Sequence, residues 1–117
     1  MTVAHGSLQA FLAVLLGAFG AHGLQQRLDE YHLKVWQTGV TYHLTHALAL
    51  VLLGVIEKQN ASRLRTTHAL FGAGILLFSG SLYALALTGN KALGMITPLG
   101  GAAFLAGWLA LAWSQRR

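Results

Sequence analysis

Residues 39–56 read Gly39-Val-Thr-Tyr42-His43-Leu-Thr-His46-Ala-Leu-Ala-Leu-Val-Leu-Leu-Gly-Val-Ile56. From Ala47 onward this run is purely apolar, and no Asp, Glu, Lys or Arg interrupts it. Its length is close to the ~20 residues a helix needs to cross a bilayer. The first half, however, carries Tyr42, His43, Thr45 and His46. Lipid does not solvate such groups, so that half must turn inward, toward other helices or a wet cavity. On a helix Gly39, Tyr42, His43 and His46 share one side, because positions three and four apart are neighbours.

Three further segments of the same kind flank it, at residues 3–21, 69–87 and 93–113. Of the 117 residues 55% are apolar and only 9% charged, against roughly 25% charged in a soluble domain. Four spans use ~80 residues and leave too few for a second domain. The expected fold is therefore all-α, one four-helix transmembrane bundle over residues 1–117. Leu8 to Phe19 has the look of a signal-peptide core, but no Lys or Arg precedes it, and it reads as a retained first span.

Residues 24–37 differ from the rest. Leu24, Leu28, Tyr31 and Val35 recur at helical spacing, with Arg27, Asp29, Glu30 and Lys34 elsewhere, so an amphipathic interfacial helix is predicted between spans one and two. Near the last span, Pro98 lacks an amide hydrogen and disfavours helix at the residue before it. The helix is expected to restart there, with Thr97 as cap and Pro98 as first helical residue.

Lys58, Arg63 and Arg65 with the tail Arg116 and Arg117 place five cations on one side against three on the other. This predicts an inner-membrane protein with both termini cytoplasmic. The net charge of +5 fits such loops, and the absence of a basic run interleaved with aromatics argues against nucleic acid. No cysteine is present, which excludes disulfides, thiolate metal sites and a cysteine nucleophile. Asp29, Glu30 and Glu57 all lie outside the spans, which disfavours a hard-cation site. No nucleophile motif marks an enzyme, and no cofactor is specified.

Given the topology, His22, Tyr42, His43, His46, Ser79, Ser81, Tyr83 and Thr97 fall toward one membrane face, with Gln37 beside them. They are expected to converge on one ligand pocket in the outer half of the bundle, with His22, His43 and His46 as candidate metal ligands. His5 and His68 lie toward the other face, and His32 on the amphipathic segment. The default role for this cluster is hydrogen bonding between helices. The alternatives are binding or transport of a small ligand, proton or transition metal, and assembly with a second copy or another membrane protein. Ala13, Gly17 and Ala21, at four-residue spacing, offer a small-residue face for such assembly. The certain partner is the lipid bilayer.

Four blocks carry a resemblance: Gly17-Ala-Phe-Gly20-Ala-His22-Gly23-Leu, Trp36-Gln-Thr-Gly-Val-Thr-Tyr42-His43-Leu-Thr-His46-Ala-Leu-Ala-Leu, Phe78-Ser-Gly-Ser-Leu-Tyr83 and Thr97-Pro98-Leu-Gly-Gly. In this order they resemble the small membrane proteins of domain-of-unknown-function family 423. The resemblance implies an integral membrane protein of bacteria, with eukaryotic relatives, and no assigned activity.

Overall fold

The computed structural model describes residues 2–60 and 64–116; Arg63 and Arg117, counted above among the cytoplasmic cations, lie outside the described residues. The helices are α1 (Thr2–His22), α2 (Glu30–Asn60), α3 (Arg65–Gly74), α4 (Gly80–Thr88) and α5 (Thr97–Ser114). A π-helical turn, Ile75–Ser79, joins α3 to α4, and a 3-10 turn, Lys91–Met95, precedes α5. Four stretches, Thr2–His22, Glu30–Gln59, Arg65–Thr88 and Lys91–Ser114, are long and apolar enough to cross a membrane. No strand occurs among the described residues. The chain is thus the all-α, four-span bundle expected of it. Its extents of 49 × 26 × 18 Å make the bundle shallow, since one helix with its side chains is already about 10–12 Å across. The spans pack in chain order, α1 on α2, α2 on α4 and the π turn, and α3 on α5.

Small residues set these contacts. Gly6, Ala13 and Gly20 are buried at seven-residue spacing against α2. A Cβ at Gly6 would lie 2.6 Å from the Val51 backbone nitrogen, and one at Gly20 2.6 Å from the Trp36 ring. Gly74 faces Phe104, and Gly107 faces Phe71. The small-residue face expected to meet another chain is therefore largely taken up within this one: Ala13 is buried and Gly17 abuts Val40, while Ala21 is exposed.

The interfacial helix predicted over residues 24–37 is corrected by the structure. Turns occupy the stretch after Gly23, and Glu30 already opens α2. Asp29 accounts for the break. Its Oδ1 accepts the His32 backbone N–H at 2.8 Å and the His32 ring Nδ1–H at 2.7 Å, the arrangement of a helix N-cap. The polar residues are simply the first turns of α2, whose 31 residues extend about 46 Å against a hydrocarbon thickness of about 30 Å. The helix is thus longer than that layer is thick, and Leu24 and Trp36 are buried together beside its N-terminal turns.

The His32 amide, and after it the His32 ring, hold the Asp29 carboxyl below its ordinary range. A carboxylate depressed in the folded state supports the fold fully above the unfolded value, about 3.9. That support disappears as pH falls through the lowered value. Hydrogen exchange at the His32 amide, taken relative to its intrinsic rate, is expected to accelerate below about pH 4. In Asp29→Ala it should be fast at every pH.

The last span restarts at Thr97, with Pro98 in the first turn. Ile96, not Thr97, occupies the cap position, and no side chain caps the helix. The Thr97 hydroxyl is engaged elsewhere, 2.6 Å from Ser81 Oγ.

Candidate functional site

His43 and His46 sit one turn apart on α2 and are both buried, at 4% and 3% exposure. Three residues advance a helix by about 300°, so the two rings point about 60° apart and meet different neighbours. His43 Nε2 lies 2.8 Å from Gln9 Oε1, and His43 Nδ1 lies 2.9 Å from the Tyr83 hydroxyl. An amide oxygen only accepts. With Gln9 so oriented, His43 Nε2–H donates to it and Nδ1 accepts from Tyr83. The Gln9 amide nitrogen then donates to His5 Nε2 at 3.2 Å, and His5 Nδ1–H donates to His68 Nε2 at 3.1 Å.

The result is one chain, Tyr83 to His43 to Gln9 to His5 to His68, in which every donor faces the same way. It draws on α4, α2, α1 and α3. Tyr83 and His68 are fifteen residues apart on the third span, about 22 Å along its axis, so the chain links positions near opposite ends of that span.

His46 faces the other side. Its Nδ1–H donates to the Tyr42 carbonyl at 2.8 Å, and its Nε2 accepts the Trp108 indole N–H at 3.0 Å. Its ring stacks on Phe104, 3.6 Å between centroids and 8° between planes, with Phe71 edge-on at 5.3 Å. Ser79, fully buried, donates to the Gly39 carbonyl at 2.7 Å. Among the described residues every buried side-chain nitrogen and oxygen has a partner.

The predicted constellation therefore divides. His43 and Tyr83 belong to the chain, Tyr42 and His46 to an aromatic wall against α5, and Ser79, Ser81 and Thr97 to hydroxyl ties between helices. His22 is exposed at the end of α1, beyond the Gly20–Trp36 contact and about 10 Å along α2 from His43. Gln37 is exposed too, its carbonyl accepting the Thr41 hydroxyl. The described residues bring no three His, Asp or Glu side chains together as a metal set. A metal needs a free imidazole lone pair, and those of His43 and His46 are occupied by O–H and N–H donors.

Gln9, Phe104 and Trp108, which do not stand out in the sequence, complete the arrangement, together with His5 and His68, which the sequence sets toward the other face and the structure joins to His43 through Gln9. The available signal is spacing. Gln9 lies three residues after Gly6 on the Gly6-Ala13-Gly20 face, and Phe104 lies between Gly100 and Gly107.

The family described as "Protein of unknown function (DUF423)" matches residues 16–101. The chain belongs to the DUF423 family. Among similar proteins, the UPF0382 membrane protein SAB0533 of Staphylococcus aureus is 48% identical over 106 residues, covering 91% of this chain and 87% of its own. The UPF0382 membrane protein YwdK of Bacillus subtilis is 47% identical over 108 residues, covering 91% and 88%. SSP2132 of Staphylococcus saprophyticus is 45% identical over 106 residues, with 91% and 88% covered. No solved structure matches. This DUF423 chain is a multi-span membrane protein of a family without an assigned activity.

Proposed function

We propose that this DUF423 protein handles protons, passing them slowly along the Tyr83–His43–Gln9–His5–His68 chain. The observation that carries the reading is the common direction of its hydrogen bonds. A neutral imidazole accepts a proton on one nitrogen and releases one from the other, and a phenol does the same at one oxygen. Successive transfers along the donor direction move a net proton from the Tyr83 end to the His68 end and leave the chain reversed, to be reset by rotation.

Gln9 is the slow joint. An amide relays hydrogen-bond polarity but holds no extra proton near neutral pH, so passage requires its side chain to swing aside for water or a direct His43–His5 contact. The protein then works as a gated, low-flux element in the cell's inner membrane with both termini cytoplasmic, an orientation supported by the five-to-three distribution of cations.

A second reading, in which these hydrogen bonds only tie helices together, draws support from the complete pairing of buried polar atoms. Vesicles loaded with a pH dye and carrying the purified protein separate the two. Under an imposed pH gradient with valinomycin, the wild type should equilibrate faster than protein-free vesicles. His43→Gln, which keeps donor and acceptor but cannot relay, should lose that excess by about a hundredfold, and Gln9→His should raise it. Wild-type vesicles indistinguishable from protein-free ones would leave only the tying role.

A further inference from the structure

On the side of α2 away from the Tyr83–His68 chain, α2, α5 and Phe78 enclose an open recess of about 470 Å³ lined by Tyr42, His46, Phe104 and Trp108, with the small residues Gly101 and Ala102 beside the aromatic rings of α5. Its size falls within the ~300–1,000 Å³ of small-molecule sites. The wall is ordered. The rings of Tyr42, His46 and Phe104 are parallel to within 13°, with Tyr42 at 6.3 Å from each of the other two centroids. Hydrogen bonds fix His46 and Trp108 in this wall, so neither has polar capacity to spare at these atoms.

Tyr42 is the exception. It is 43% exposed, and its hydroxyl has no hydrogen-bond partner among the described residues, although it lies on a membrane-spanning helix next to the fully paired His43 and one turn from the fully paired His46. An O–H left unpaired in an apolar medium is costly. An acyl chain filling the recess would leave it so.

We propose that the recess binds a flat, mainly apolar ring compound dissolved in the bilayer, bearing a carbonyl that accepts the Tyr42 hydroxyl. The parallel rings orient such a molecule by offset stacking, and the small Gly101 and Ala102 leave room for it along α5. The site is separate from the proton chain, and either stands if the other fails.

Fluorenone, a flat aromatic ketone that quenches indole fluorescence, tests the site in phosphatidylcholine nanodiscs, with fluorene as its carbonyl-free analogue. Quenching of the wild type by fluorenone should saturate. Tyr42→Phe should weaken the apparent affinity about fivefold to tenfold through loss of one hydrogen bond, and fluorene should compete poorly against fluorenone. Ala102→Leu, at an exposed position where the fold tolerates a larger side chain, should abolish saturation without lowering the melting temperature. Quenching that rises linearly with probe and is the same in the wild type and both variants overturns the proposal and leaves the recess to bulk lipid. Saturation unaffected by Tyr42→Phe, with fluorene competing as well as fluorenone, overturns the hydroxyl contact.

Discussion

Gly100→Val is expected to abolish the packing of the last span on the third. A Cβ at Gly100 falls against the Phe78 backbone nitrogen and 2.7 Å from both Cα and Cβ of Phe78. Backbone atoms cannot rotate away as a side-chain tip can. Relief requires α5 to move off the π turn, which also separates Phe104 from His46 and removes the Trp108 donor from His46 Nε2. The loss should exceed about 4 kcal/mol, in the range reserved for severe core defects, against a total stability of about 5–15 kcal/mol for typical proteins. Thermal unfolding in detergent, followed by circular dichroism, measures it. Gly101→Ala is the internal control. Its Cβ would lie 3.7 Å from the Phe78 ring, an ordinary contact, and its melting temperature should stay near that of the wild type.

Trp36→Ala should be the next most damaging change. Trp36 is 2% exposed, packs into the space left by Gly20, donates its indole N–H to the Leu16 carbonyl at 2.9 Å and lies 4.7 Å from the Tyr83 ring. Truncation of such a residue costs about 3–5 kcal/mol. Trp36→Phe keeps most of the volume and loses the hydrogen bond, worth about 1 kcal/mol. Because Trp36 supports Tyr83, the alanine variant should also loosen the Tyr83–His43 contact. A faster exchange of the Tyr83 hydroxyl proton in Trp36→Ala than in Trp36→Phe would report it.

The four spans are legible in the sequence because an apolar run of about 20 residues is stable in few settings besides a bilayer. The inward turn of His43 and His46 is legible on the same ground, since lipid penalises the opposite choice, whereas Tyr42 and Thr45, expected to turn inward with them, are exposed. Residues 24–37 mislead because Leu24, Leu28, Tyr31 and Val35 keep helical spacing across Asp29, and periodicity alone is blind to a cap. The Asp29–His32 pair is the stop and start that periodicity passes over. The site is legible only by type. Hydropathy tells which residues avoid lipid, but their pairing depends on the rotation and register of helices far apart in sequence. Gln9 and His43 are 34 positions apart, and His46 and Trp108 are 62 apart. His22 groups with His43 on depth alone, yet the two are separated by two turns of α2.

The π turn Ile75–Ser79 closes with the Gly80 N–H bonded to the Ile75 carbonyl, one residue more than an α-helical turn contains. That extra residue offsets the faces of α3 and α4 by about 100°. Phe71 and Gly74 thereby address α5, while Ser79 and Tyr83 address α2. Relative phase in this span is stored as length. Shortening the turn by one position, at the 72% exposed Leu76 for instance, would preserve every side chain of both halves and still rotate Tyr83 out of line with His43. The third span is in effect two surfaces keyed together by a single residue, and the alignment of the hydrogen-bonded chain with the aromatic wall is a matter of counting as much as of chemistry.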